Sequence, residues 1–342
     1  MDDTVPFGVL GVGRIGLFHC DRIRATAGLA LVAASSRSSE LTAEARRRFG
    51  VKTYSSHEEL IGDQSVQWIV IATTTDQHYR WALAAIDKGK NLVIEKPISI
   101  SYREALEIYE RAAVQGVKVL PHQSRRWDRD FLLVRRIINE GLVGDAYRIE
   151  SRRTSYSTGW AGWGAQGMAN PWRLKKKYGG GMINDWAPHL VDQLLLIAGS
   201  LPVSVHAWQG GKIWTTEVDD HFWAELAFES GLSCRVEASN NHRIPLPRWS
   251  VVGTRGTFHV PGEESDSWNE GELRSEFYGL PETRHFDFSG VELTDAFYPA
   301  LAEALQSSNE LPITREQALS VMNVIDKIRE SAALGRSVTV QS

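Results

Sequence analysis

Cys20 and Cys234 are the only thiols in 342 residues, and they stand far apart with no CxxC pair. That scarcity excludes a disulfide framework and a thiolate zinc centre, and it suits a reducing cytoplasm. Long hydrophobic runs are missing as well. No segment approaches the roughly 18 apolar residues of a membrane span, and no basic stretch precedes the first apolar run, so neither an embedded nor a Sec-secreted protein is expected. Nor is there an excess of positive charge: 38 Lys and Arg against 42 Asp and Glu give a net charge of -4, with both signs interspersed. Such a surface has no footprint for nucleic-acid phosphates or an anionic membrane, which leaves a small molecule as the expected partner. Repeats and low-complexity tracts are also absent.

What is present points to two domains, because single cores stop growing at roughly 250–300 residues. Short β-branched runs at 7–10, 29–35, 68–72, 91–94 and 117–120 alternate with helical stretches at 14–26, 42–49, 57–61, 78–87 and 102–115. This rhythm builds a parallel sheet covered on both faces. The last helix is the best marked, with Ser101 as cap, Glu104 completing a capping box and Gly116 as stop. After Pro121 the rhythm changes. A helix at 130–139 leads to an extended run at 147–156, a Gly- and Trp-rich loop to Gly181 and a helix at 183–198. Strand-like runs then follow at 202–208, 221–228, 232–238, 248–253 and 257–260 without intervening helices, and a helix at 315–334 closes the chain. The expected fold class is α/β: an N-terminal parallel-sheet domain over 1–121, then an α+β domain over 122–342 with a large, mostly antiparallel, open-faced sheet.

Directly after the first strand stands Gly11-Val12-Gly13-Arg14-Ile15-Gly16, a GxGxxG opening a helix. In that context Gly11 permits the tight turn, Gly13 lets backbone approach a pyrophosphate, and Gly16 lets helix pack on strand, as in a Rossmann dinucleotide site. Arg14 and Ile15 flank the same phosphates. Cofactor choice is read at the end of the second strand, where a carboxylate would hold a ribose 2′-OH. The stretch there is Ala34-Ser35-Ser36-Arg37-Ser38, with no carboxylate and with an arginine suited to a 2′-phosphate. NADP(H) is therefore favoured, and NAD(H) stays admissible. No metal is expected.

Two further strand ends carry Thr73-Thr74-Thr75-Asp76-Gln77-His78 and Glu95-Lys96-Pro97. Open α/β sheets bind ligands at such carboxyl ends, so Thr73, Thr74, His78, Glu95 and Lys96 join the expected cofactor contacts. Far downstream, Gly179-Gly180-Gly181 precedes Asp185 and His189, one helical turn apart. A lysine, a carboxylate and an imidazole are the groups that alcohol–carbonyl interconversion requires.

Taken together, these stretches resemble the glucose-fructose oxidoreductase / inositol dehydrogenase family, written Gfo/Idh/MocA, over nearly the whole chain. Arg125-Arg126-Trp127-Asp128, Trp172-Arg173 and the closing 313–338 pattern agree with it. Thr74 stands where the family commonly has Pro, Trp127 where it has Phe or Tyr, and Ser36 where it has an acidic residue. The resemblance implies an oxidoreductase in which His189 is the general base in alcohol oxidation, Asp185 holds its tautomer, and Lys96 polarises the substrate oxygen. The roles of Lys96 and His189 can be exchanged. It also implies a homodimer or homotetramer through the second-domain sheet, whose large apolar side chains would otherwise be exposed. Family relatives include NADP-sensing regulators without catalysis and enzymes that use nicotinamide to cleave glycosides; these are the alternatives.

Twelve tryptophans stand where about 4–5 are usual for this length. Trp160, Trp163, Trp172 and Trp186 fall in or beside the loop expected over the substrate, and flat aromatic faces suit sugar C–H surfaces. A sugar or polyol is the expected substrate, with His122, Arg126, Tyr156 and Arg173 as further pocket candidates beside Lys96, Asp185 and His189.

Overall fold

The computed structural model describes residues 4–156, 172–211, 213–262, 269–277, 280–288, 296–307 and 309–340. Among them no helix is long and apolar enough to cross a membrane. The chain divides into two compact units, the first made of 1–123 with 295–319 and the second of 124–294 with 320–342.

The first unit alternates β1 (Val5–Leu10), α1 (Arg14–Ala25), β2 (Leu29–Ser35), α2 (Ser39–Phe49), β3 (Lys52–Tyr54), α3 (His57–Gly62), β4 (Trp68–Ile71), α4 (Thr75–Ile86), β5 (Asn91–Ile94), α5 (Tyr102–Gln115) and β6 (Val119–Pro121). Among the described residues, six strands pair in parallel in the order β3-β2-β1-β4-β5-β6. The order reverses at β1, between β2 and β4, where a parallel sheet opens a crevice for ligands. β4 is buried along its whole length, as strands covered on both faces are. Ser101 caps α5 by accepting from Glu104 N–H at 3.3 Å, and Gly116 ends it at φ 67°. The expected return bond shifts by one residue: Glu104 Oε2 accepts from Ile100 N–H at 3.0 Å. β3 is missing from the sequence reading because Lys52-Thr53-Tyr54 is too short to show a period.

The second unit holds α6 (Arg129–Asn139), β7 (Ala146–Thr154), α7 (Met182–Ala198), β8 (Ser204–Gly210), β9 (His221–Ala227), β10 (Ser233–Ser239), β11 (Trp249–Gly253), β12 (Gly256–Val260), β13 (Glu270–Phe277) and β14 (Leu280–Asp287). α8 (Phe297–Ser307), α9 (Arg315–Leu334) and β15 (Val338–Thr339) complete the chain. Among the described residues nine strands run β14-β13-β12-β11-β7-β10-β9-β8-β15, antiparallel except for β7 beside β10. α7 lies on β7, β9 and β10. Ile149, Phe222, Ala224, Cys234, Val236, Trp249 and Val251 alternate to one face and are buried. α8 returns to the first unit, so the division differs from a single cut after 121.

The opposite sheet face is charged rather than broadly apolar. Arg235 stands in register with Glu150 on one side and Glu225 on the other, and Glu237 with Arg152. Arg148 bridges Glu150 and Glu225, and His221 meets Glu237 at 3.0 Å. Between them sit Trp223 and, beside it in register, the exposed Trp208.

Beneath α7 a polar network replaces part of the apolar core. Arg248, fully buried, donates to Ser151 Oγ at 2.6 Å and Gln193 Oε1 at 2.9 Å, and its Nε lies 3.0 Å from Asp130 Oδ2. Trp249 Nε1 donates to the same Asp130 oxygen at 2.7 Å. Removing one member of a buried ion pair strands the other charge, at about 3–5 kcal/mol, whereas an exposed pair such as Arg47–Glu44 contributes under about 1 kcal/mol. Asp130→Ala should therefore lower unfolding free energy by about 3–5 kcal/mol and Glu44→Ala by less than about 1 kcal/mol, read from denaturant unfolding.

Candidate active site

On the first unit, the glycine loop has the stereochemistry that a pyrophosphate cradle needs. Gly11 sits at φ 98°, a left-handed conformation that side chains disfavour, and a Cβ there would lie 2.9 Å from the Ala72 carbonyl. A Cβ on Gly16 would lie 2.1 Å from the Gly11 oxygen, so α1 can cross β1 this closely only with glycine. Gly13 differs: a Cβ on it would meet nothing within 4 Å. Its freedom from side chain keeps open space at the start of α1, where no side chain caps the helix and unsatisfied amides attract an anion. The residues present thus fit a dinucleotide phosphate. Arg14 is exposed beside them, and Ile15 is half-buried.

At the end of β2, Gly11 and Val12 donate to the Ser35 carbonyl at 2.9 and 3.1 Å, which ties the glycine loop to the stretch that reads the ribose. Ser36 is buried, its Oγ accepting from Ser38 N–H at 3.2 Å, while Arg37 is exposed. His57 accompanies them at 2.9 Å from Ser35 Oγ; burial, then the Arg37 charge, depress its pKa.

Thr73 and Thr74 follow β4, half-buried, with Thr74 at the N-cap position of α4 but without a side-chain cap bond. The side chains of His78 and Glu95 both have partners within the protein. His78 is buried, with Nδ1 2.8 Å from the Pro97 carbonyl and Nε2 3.3 Å from that of Thr73. Burial lowers its pKa, so a neutral ring donates through one nitrogen, to the nearer Pro97 oxygen. Glu95 Oε1 is 2.9 Å from His19 Nε2 and 2.7 Å from His122 Nδ1, while Oε2 accepts from Lys96 N–H at 3.1 Å. His122, expected in the substrate pocket, is buried in this cluster. Burial alone would raise the Glu95 pKa; the imidazoles of His122 and His19 outweigh it and hold the carboxyl well below its ordinary range. Lys96 itself is half-buried after β5, and β4 alone separates β5 from β1.

On the second unit, α7 carries Asp185 and His189 four residues apart on one face. Two of the three glycines before it have steric reasons. A Cβ on Gly180 would fall 2.2 Å from the Arg173 carbonyl, and one on Gly181, at φ 104°, 2.3 Å from Asp219 Oδ1. Asp219 does the capping that Gly181 cannot: Oδ2 accepts from Ile183 N–H at 2.8 Å. Its pKa is pushed up to about 6 by burial, against those amide bonds. Asp185 is half-buried and accepts from Arg173 Nε at 3.2 Å, and Trp172 lies under the Arg173 guanidinium. His189 is buried, edge-on to Trp186.

Two expected pocket residues are otherwise engaged. Arg126 is buried and forks onto Asp192 at 2.8 and 2.6 Å, so its guanidinium is committed to α7. Trp186 is buried, with the guanidiniums of Arg125 and Arg153 at 4.5 and 5.0 Å from its ring centroid. Tyr156 meets Trp214 edge to face and is partly exposed. Trp160 and Trp163 lie outside the described residues. His19, Asp192 and Asp219 went unnoticed in the sequence, where nothing in their spacing marks them.

Comparison with known proteins matches this organisation. A model of an oxidoreductase family with an NAD-binding Rossmann fold covers residues 5–123, and the Gfo/Idh/MocA C-terminal domain covers 131–259. The chain is 27% identical to scyllo-inositol 2-dehydrogenase (NADP(+)) IolW of Bacillus subtilis, over 99% of this chain and 97% of that protein. It is 26% identical to levoglucosan dehydrogenase of Pseudarthrobacter phenanthrenivorans, over 66% of this chain and 64% of that protein. The solved structure of an NAD-binding protein from Listeria innocua superposes with a TM-score of 0.86 at 29% identity, covering 98% of this chain and 97% of that one.

The two inner glycines separate folding from ligand binding. Gly16→Ala should lower the thermal midpoint, since its Cβ overlaps a carbonyl, whereas Gly13→Ala should leave it unchanged and weaken nicotinamide dinucleotide binding by about 10-fold or more. Thermal melts and cofactor fluorescence titration check both.

Proposed function

The chain belongs to the Gfo/Idh/MocA family of NAD(P)-dependent oxidoreductases, and we propose that it transfers hydride between NADP(H) and the alcohol or carbonyl carbon of a sugar or polyol. The observation that carries the proposal is the carboxyl edge of the first unit's sheet. There the open cradle at Gly13 and the amine-bearing Lys96 follow strands separated by β4 alone. The nicotinamide supplies the hydride chemistry when bound. The protein's part is to hold the reacting oxygen and move its proton. Lys96 donates a hydrogen bond to that oxygen and favours its negative charge; His189 accepts the proton, with Asp185 ahead of it on α7 to orient and stabilise the imidazolium. The exchange of these two roles leaves the same groups engaged. Support for a polyol or sugar comes from IolW and levoglucosan dehydrogenase, the named relatives.

NADP(H) is preferred on the strength of Ser36-Arg37, where the exposed guanidinium follows β2 without a neighbouring carboxylate, and the IolW name accords with it. NAD(H) is the competing cofactor, accepted more weakly.

A spectrophotometric panel of polyols, aldoses and their keto forms, run with NADP(H) and NAD(H) in parallel, tests this reading. Lys96→Ala and His189→Ala should each lower kcat by about 10²–10⁴-fold, and unchanged turnover in the double variant overturns the assignment. In the same panel Arg37→Ala should raise the KM for NADP(H) by about 10-fold or more and leave that for NAD(H) within about threefold. A native preference for NAD(H) would sink the cofactor argument. Sugar release without net cofactor turnover would instead identify glycoside cleavage, and cofactor binding without turnover a sensor.

The charged sheet face of the second unit is proposed to carry a homodimer or homotetramer contact, with Trp208 as its exposed aromatic anchor. Trp208→Glu should reduce the sedimenting mass toward one protomer; an unchanged mass in analytical ultracentrifugation argues against this face.

A further inference from the structure

The donor atoms His19 Nε2, Glu95 Oε1 and His122 Nδ1 lie within 4.8 Å of one another in a fully buried cluster, a composition that also occurs in metal centres. Proton accounting favours another use. Glu95 is ionised, and Oε1 is near enough to accept an N–H from each imidazole, at 2.9 and 2.7 Å. With its Nε2 donating, a neutral His19 accepts at Nδ1 from the Tyr298 hydroxyl, 2.7 Å away. His122 Nε2, packed against Phe297, has no hydrogen-bond partner among the described residues. With His19 Nε2 and His122 Nδ1 both donating to one carboxylate oxygen, neither of those nitrogens has a lone pair to offer an ion there.

The other oxygen of the carboxylate accepts from Lys96 N–H at 3.1 Å. One residue beyond Lys96, the Pro97 carbonyl takes the His78 Nδ1 proton at 2.8 Å. The main chain is thus fixed on both sides of the lysine by buried side chains, Glu95 before it and His78 after. His19 comes from α1, the helix that the glycine loop opens, and His122 directly follows β6, so three parts of the unit converge on one carboxylate. We propose that Glu95, held by His19 and His122, is a positioning residue for Lys96, aligning the amine relative to the dinucleotide helix. The proposal rests on the assignment of Lys96 to the reacting oxygen, but the placement of its amine can be read independently of turnover.

The substitutions have distinct chemistry. Glu95→Gln keeps volume, yet an amide must turn its NH₂ either toward Lys96 N–H or toward the two imidazole N–H groups, donor against donor. His122→Leu removes the N–H, and His122→Asn restores a donor near the Nδ1 position. The first readout is NMR of the full-length protein reductively methylated with ¹³C-formaldehyde, in which Lys96→Arg assigns the Lys96 resonance. We expect Glu95→Gln and His122→Leu to move that resonance and its titration, and His122→Asn to keep both near the parent. The second readout is turnover with scyllo-inositol and NADP, where Glu95→Gln and His122→Leu should lower kcat by about 10²-fold with NADPH affinity within about threefold, and His122→Asn should recover most of it. An unmoved resonance in both disruptive variants overturns the proposal, as does equal damage from Leu and Asn. Stoichiometric zinc retention that His122→Leu abolishes also overturns it, in favour of a metal centre. If Lys96→Ala leaves turnover intact while the resonance behaves as expected, the functional assignment of Lys96 fails and the positioning stands.

Discussion

A carboxylate removed from water must be paired or protonated, and much of the first unit is arranged around the way Glu95 meets that demand. Its partners come from α1 and from the residue after β6, and Tyr298 of α8 holds the outer nitrogen of His19. Phe18, Phe297 and Tyr298 pack their rings around the two imidazoles and keep water from competing. This gives a physical reason for the return of 295–319 to the first unit: without α8 the cluster would lose both a hydrogen-bond donor and part of its apolar cover. The second unit repeats the theme with different residues. Asp192 is fully buried, and burial raises its pKa against the pull of Arg126, while Asp130 serves Arg248 and Trp249 together. Both aspartates brace elements that carry or flank α7. In each unit, then, buried charge fixes the main chain beside the residues proposed to react.

Elements long enough to show a period were legible in the sequence. β2, β5, α5 and α9 run as the pattern indicates, because a strand covered on both faces reads as an apolar run and a helix announces its cap and its glycine stop. Where the pattern is short or polar, reading fails. β3 has three residues and β15 two, and β14 is largely exposed along its length, with Leu280, Thr283 and Arg284 in open positions. In β13 the buried positions Gly271, Leu273 and Ser275 alternate with Glu272, Arg274 and Glu276, but glycine and serine are too weakly apolar to mark a strand. α8 is apolar enough to see, but its membership in the first unit depends on Tyr298 reaching His19, 279 positions away in sequence, which no local pattern encodes.

The same distinction separates the parts of the site. Glycines at Gly11, Gly13 and Gly16 are readable because their spacing expresses a steric rule, and the structure gives each a separate reason. Lys96, Asp185 and His189 were found as a combination at strand and helix ends. What could not be read was which polar neighbours serve the protein itself. His78, His122, Arg126 and Trp186 have the right chemistry for ligand contact, yet all four are buried against partners far along the chain or across a loop. Sequence identifies what a side chain can do; burial and pairing decide whether that capacity is still available. The tryptophan excess illustrates this, since Trp68, Trp81, Trp186 and Trp249 are buried in the two units.

The charged sheet face reverses the reason first given for assembly. An apolar face would associate because exposure to water is unfavourable, but here Arg148, Arg152 and Arg235 are matched by Glu150, Glu225 and Glu237. The pairs lie in register across β7, β10 and β9, so the charges neutralise one another within the protomer. Covering such a lattice costs less than covering bare ions, because each guanidinium keeps its carboxylate when water leaves. It also offers little net attraction to a second copy. Discrimination and affinity on this face would accordingly depend on Trp208 and Trp223, aromatic side chains that interrupt the lattice and gain from burial, while the ion pairs set the register in which two copies could fit without stranding a charge.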